Sequence, residues 1–116
     1  MVIQKSSYPV RTIEHMLGGD GCFVIEDILL PDQMHNRGRL FAIGTLAPGH
    51  SVGMHTHTQD MEICFFLSGT GLVEEDGADA VAVRAGDCNI VDVGHSHRII
   101  NTGSEDLKYI AVILYA

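Results

Sequence analysis

Two spaced sets of metal-capable side chains constrain this chain more than any other feature. The first runs Gly49, His55, His57, Glu62 and Gly69, and the second runs Gly86, Asp92, Gly94, His97 and Asn101. Successive side chains on a strand point to opposite faces, so His55 and His57, two apart, share one face. The short loop from Thr58 to Met61 reverses the chain, and Glu62 begins the return strand opposite them. His97 arrives from much later in the sequence. It can join the others only in a fold whose strands are paired around a common interior. Three imidazoles and one carboxylate suit a first-row divalent ion, such as Mn, Fe, Ni or Zn, with coordination positions left open for another ligand.

The rest of the chain fits a β architecture. Thirteen glycines punctuate it at short intervals, and no long helical periodicity lies between them. Strands are expected near Gly21 to Leu30, Arg39 to Leu46, Ser51 to His57, Met61 to Leu67, Thr70 to Glu74, Asp79 to Arg84, Asp87 to Val91, His95 to Ile100 and Leu107 to Tyr115. Pro48-Gly49 supplies a turn in which Gly takes positive φ. Asp76-Gly77 suits a tight hairpin. Short strands at such spacing mean an all-β sandwich or barrel. Met1 to Asp20 reads as an N-terminal arm and residues 21–116 as the barrel domain.

Those two residue sets resemble the paired motifs of the cupin superfamily. The first matches at every position: Gly49, His55, His57, Glu62, Gly69. The second matches at Gly86, Gly94, His97 and Asn101, while Asp92 stands where the family has proline. Asp is itself a good turn former, because its carboxylate can bond the backbone two residues on. The resemblance implies a jelly-roll barrel, the double-stranded β-helix, with His55, His57, Glu62 and His97 as metal ligands. It also implies oxygenase, decarboxylase or isomerase chemistry on a small molecule, with a non-catalytic binding or sensing module as the alternative. A divalent ion with one carboxylate leaves the site about +1, which favours a small anionic partner. No residue is marked as general acid or base. Decarboxylases of this type need a further carboxylate over the metal, and Asp60 is the nearest in sequence.

Composition excludes other classes. Net charge is −8, from 15 acids and 7 bases, so the cationic footprint that a nucleic-acid binder needs is missing. No run of about 18 apolar residues offers a membrane span. The N-terminal residues show no apolar signal segment, and Cys22, Cys64 and Cys88 form no Cys-x-x-Cys pair. A cytoplasmic, reducing setting is the expectation.

Two strands, Gly21 to Leu30 and Leu107 to Tyr115, are apolar on both faces, where a strand with one wet face should alternate. Their second faces are expected to be covered by the arm or, as the resemblance implies, by a second subunit in a homodimer. A charge at Ile113, if that side chain points outward, would disrupt such pairing. Four further residues have two readings each. His95, two before His97, could stand at the pocket rim or be a solvated turn residue. Cys64 should face inward near the metal, as a small buried hydrophobe or a participant. Phe66 continues that face as pocket wall. Arg37 and Arg39 could hold an anion or simply be solvated. His15, His35 and His50 fit no ligand spacing.

Overall fold

The computed structural model describes all residues from Met1 to Ala116. Ten strands run in order: β1 (Val10–Glu14), β2 (Cys22–Leu29), β3 (Gly38–Leu46), β4 (Ser51–Thr56), β5 (Asp60–Ser68), β6 (Thr70–Glu75), β7 (Val81–Arg84), β8 (Cys88–Val91), β9 (Ser96–Ile100) and β10 (Leu107–Tyr115). Nine lie where the alternating runs place them. The additional one, β1, falls within the N-terminal arm. Its side chains are mostly exposed, so no inward apolar period marks it. It is nonetheless paired along its length to β2, from Val10 opposite Glu26 to Glu14 opposite Cys22.

The strands form two antiparallel sheets. One has six strands in the order β1-β2-β3-β10-β5-β8, and the other four in the order β4-β9-β6-β7. The inward faces meet in one core, where Leu46, Phe66, Ile99 and Leu107 are fully buried. No helix is long and apolar enough to cross a membrane.

Both doubly apolar strands alternate between buried and half-buried side chains. On β10 the buried set is Leu107, Tyr109, Ala111 and Ile113. Ile113 therefore points inward, and the outward positions are Ile110, Val112 and Leu114. The strand's uninterrupted apolar sequence hides its parity, and the antiparallel register to β3 and β5 sets it.

Two features of the fold position the interior site. His55 pairs directly with His97 across β4 and β9, while Glu62 lies on β5 in the other sheet. The β8–β9 turn is tied to β4: Gly94 N–H donates to His57 O at 2.6 Å, and His57 N–H to His95 O at 3.0 Å. Gly94 adopts φ +85° at this turn, a region that residues with a Cβ seldom enter.

Candidate metal centre

His55, His57, Glu62 and His97 converge, each offering one ligand atom, all within 4.8 Å of one another. His57, Glu62 and His97 are buried and His55 is half-buried. Each imidazole is oriented by its Nδ1. His55 Nδ1–H donates to the Gly53 carbonyl at 2.7 Å. His57 Nδ1–H donates to Asp60 Oδ1 at 2.6 Å. Asn89 Nδ2 donates to Glu75 Oε1 at 2.7 Å, which turns Asn89 Oδ1 toward His97 Nδ1 at 2.8 Å as acceptor. A neutral imidazole carries one N–H and one lone pair. With all three Nδ1 atoms donating, all three Nε2 lone pairs point into the same space.

That arrangement asks for a cation. His97 Nε2 lies 3.1 Å from His55 Nε2 and 2.8 Å from Glu62 Oε1. Donors in neighbouring positions ~2.1 Å from one ion are ~3.0 Å apart by simple trigonometry. His57 Nε2 is buried without any hydrogen-bond partner, and an orphaned buried polar atom costs about 1–3 kcal/mol. The donor set and the orphaned nitrogen therefore fit a divalent transition ion.

The titration directions follow from the same packing. Burial alone pushes the Glu62 carboxyl up, but His57 and His97 outweigh it and hold it at about 2. The Glu62 carboxylate beside His57 raises that imidazole's pKa against the cost of burial, with Asp60 adding to the rise. Burial lowers the pKa of His55, and His97 and His57 lower it further. Glu62 is thus an anion at neutral pH.

Behind His57 lies a second layer. Asp60 is shared between His57 Nδ1 and Arg39 Nε, the latter at 2.6 Å. Burial raises the Asp60 carboxyl, but the hydrogen bonds from Arg39 and His57 bring it below its usual range. Such partners fix the tautomer and orientation of a ligating histidine.

The ligand atoms open into a cavity of about 190 Å³, room for roughly six waters at ~30 Å³ each. Arg39 lines it, as does Arg11, whose Nε and Nη2 clamp Asp27 at 2.8 and 2.9 Å. Tyr109 also lines it. That residue is buried between Phe23 and Phe66, with ring centroids 5.8 and 5.4 Å away. Burial, then Cys64 and Glu62, push the Tyr109 hydroxyl pKa well up, so it stays a neutral donor.

The other expectations divide. Cys64 does face inward and is fully buried; burial and the nearby Glu62 carboxylate push its thiol pKa well up, so it is a small inert hydrophobe. Phe66 is core rather than pocket wall, packed on Tyr109 and absent from the cavity lining. His95 does not reach the cavity: its side chain is 68% exposed and faces Asp76 at 3.6 Å in an outer cleft. The turn at Gly94 carries it outside the strand, so two-residue spacing from His97 does not put it on the same face. Arg39 is at the cavity, whereas Arg37 is exposed and away from it. His50 serves structure, its Nδ1 accepting the Cys22 N–H at 3.0 Å. Sequence reasoning passed over Arg11, Asn89 and the turn at Met16 and Leu17. Each reaches the site through pairing that spacing cannot reveal.

Comparison with known proteins agrees with this geometry. A family model described as "Cupin domain" matches residues 42–113. The chain is 42% identical over 114 residues to a protein of Thermotoga maritima named "Oxalate-binding protein", covering 98% of this chain and 93% of that one. It superposes on the crystal structure of a predicted oxalate decarboxylase from Thermotoga maritima with a TM-score of 0.95, at 40% identity and full coverage of both chains. An uncharacterized conserved protein with a double-stranded β-helix domain from Klebsiella pneumoniae shares the fold, at TM-score 0.74, 18% identity and coverage of 98% and 89%.

Proposed function

The chain belongs to the cupin family, and we propose that it holds a divalent transition metal on His55, His57, Glu62 and His97 and binds a small anionic acid at that metal. The observation that carries the proposal is the convergence of three Nε2 lone pairs and one carboxylate oxygen, with His57 Nε2 buried and unpartnered. When bound, the ion supplies a Lewis-acidic centre of about +1 net charge. The chain's own groups do the rest. Asn89, Asp60 and the Gly53 carbonyl hold the imidazoles, Arg39 and Arg11, each paired with a carboxylate, line the cavity, and apolar side chains make up most of the rest. The Thermotoga maritima matches, named for oxalate, support a small carboxylic acid as the ligand.

Binding without turnover has one observation in its favour. Glu62 is the only carboxylate lining the cavity. Asp60 faces the back of His57 and is taken up by Arg39, so it does not stand over the metal as a proton donor. Tyr109 offers a neutral hydroxyl but no base.

The test is elemental analysis of protein purified without added metal, with a thermal-shift series in oxalate. Near-stoichiometric transition metal in the wild type, sharply reduced in His57→Ala, is the expected result, along with oxalate stabilisation lost in His97→Ala. Metal content unchanged in His57→Ala would sink the reading. A ligand that binds only the native holo-protein stabilises it by about 2.7 kcal/mol at a hundred times its Kd.

We propose further that two copies pair through the outer face of the six-stranded sheet. Across it, Phe41, Val112, Ile63 and Ile90 stand opposite one another in one row, and Ile43, Ile110 and Phe65 in the next. Phe65 and Ile90 are 43% and 58% exposed, and an apolar patch of that kind marks an interaction site. Three free cysteines, one of them exposed, fit a reducing cytoplasmic setting.

A further inference from the structure

Besides the metal ligands, Arg11 and Arg39, the cavity is lined by apolar side chains. Two of them, Met16 and Leu17, come from a short turn, Met16–Gly18, in the N-terminal segment. Two of the four non-glycine residues with positive φ lie at this turn. His15 and Leu17 adopt φ of +50° and +53°, beside Gly18 at +84°. Left-handed backbone in a residue such as leucine costs of order 1–3 kcal/mol and persists only where the surroundings impose it.

The surroundings do impose it. The turn is stitched to β4, the strand that carries His55. Ser51 N–H donates to Asp20 O at 2.9 Å, and Asp20 N–H to Ser51 Oγ at 2.9 Å. The backbones also touch: a Cβ on Gly53 would collide with the Leu17 carbonyl, and one on Gly19 with the Ser51 carbonyl. Leu17 is thereby fixed over the cavity while remaining 51% exposed. A large apolar side chain held in strained backbone, half in water, gains little unless a ligand covers it.

We propose that Met16 and Leu17 are specificity-determining residues that select acids carrying a short apolar branch beside the chelating head. The inference rests on the metal-bound anion reading above and adds what the rest of the ligand must be. A bare dicarboxylate of two carbons has no atom for this wall. A 2-oxo acid with an aliphatic side chain puts two oxygens toward the metal and its hydrocarbon toward Leu17, Met16 and Ile113. One methylene in a hydrophobic pocket is worth about tenfold or more in discrimination. The partly open wall should realise about tenfold over the whole branch.

The experiment titrates pyruvate, 2-oxobutanoate and 4-methyl-2-oxopentanoate, which share one head, into metal-loaded wild type and Leu17→Asn by calorimetry. Asn accepts left-handed backbone more readily than leucine, so the variant removes the apolar contact without adding strain. Affinity in the wild type should rise about tenfold along the series. In Leu17→Asn the rise should fall to twofold or less, with pyruvate affinity and metal content unchanged. Should that variant fail to fold, Met16→Ala carries the same comparison. A flat or falling series in the wild type, or a full rise retained in the variant, overturns this inference and leaves the anion reading standing. Binding of none of these acids to metal-loaded protein overturns this inference, and absence of oxalate stabilisation as well overturns both.

Discussion

Asp60→Asn is the sharpest probe of how the site is held. Asp60 receives two donors, His57 Nδ1–H on Oδ1 and Arg39 Nε–H on Oδ2, both at 2.6 Å. Its side chain is 9% exposed, so water cannot readily replace either partner. Asparagine keeps the shape but offers one acceptor and one donor. If its oxygen faces His57, its NH2 opposes the Arg39 N–H. If its oxygen faces Arg39, its NH2 meets His57 Nδ1, which must then accept, and the ring proton moves to Nε2. That is the atom directed at the metal. Either arrangement weakens the site. Loss of a partner behind a ligating histidine reduces metal affinity about 10–100-fold, or ~1.4–2.8 kcal/mol. Competition against a chromophoric chelator would measure it, with the melting temperature of metal-free protein as the control for folding. Wild-type affinity in Asp60→Asn would refute the tautomer argument.

Other outcomes follow from the same structure. Val112→Asp, on the outward face of β10, should convert a dimer to a monomer of 12.6 kDa by light scattering; a mass unaffected by the substitution would place any interface elsewhere. Gly53→Ala drives a Cβ into the Leu17 carbonyl and should cost about 1–3 kcal/mol, seen as a fall of several degrees in melting temperature. In metal-free protein the raised His57 pKa gives stability that is complete below 6.5 and lost as pH rises through the folded value. The depressed Glu62 pKa gives stability present above 4.5 and lost as pH falls toward about 2. These two contributions coincide between those limits, while the lowered His55 pKa opposes them, its contribution present above 6.5 and lost as pH falls below it. The added stability from metal should grow with pH, because imidazoles must be deprotonated to ligate; melting curves with and without chelator across pH 4–8 would show the gap between them widening.

The convergence of His55, His57, Glu62 and His97 was legible from two spaced half-motifs and their resemblance to the cupin pattern. His55 and His57 share a face by strand alternation, and glycine turns bound each half-motif. Nine strands were legible from alternation and glycine turns. What was not legible depends on register and on long-range pairing. Ile113 reads as inward or outward equally well in a strand without polar positions, and only its neighbours on β3 and β5 decide. His95 sits two residues from His97, yet a turn intervenes and alternation does not apply. β1 carries no buried period, so its strand character comes from pairing with β2. Arg11 reaches the cavity only because β1 lies beside β2, where Asp27 holds the guanidinium. Asn89 points at His97 only because Glu75 fixes which end of its amide faces inward.

Several of the places where local rules fail are themselves informative, because they gather at one cavity. His57 Nε2 is the one buried side-chain nitrogen or oxygen without a partner. Two imidazole nitrogens with lone pairs stand 3.1 Å apart beside a buried carboxylate, and a leucine lies over the same space in left-handed backbone. Each is a local cost that a chain folding only for stability would shed by a single substitution. Elsewhere Asn101, fully buried, is satisfied by the carbonyls of Leu46 and Glu105 and by the Gly103 N–H. His35 and Asn36 also take left-handed backbone, at the turn before β3, but costs of several kinds gather only at the cavity, the pattern that selection for binding leaves behind. Metal would relieve the first two costs by supplying positive charge among the donors. It would do nothing for Leu17. That residue's strain calls for a separate partner, one that is apolar and sits beside the metal. The site therefore combines ionic groups on β4, β5 and β9 with an apolar lining to which the N-terminal turn adds Met16 and Leu17, and a ligand with both a chelating head and an apolar branch would use both.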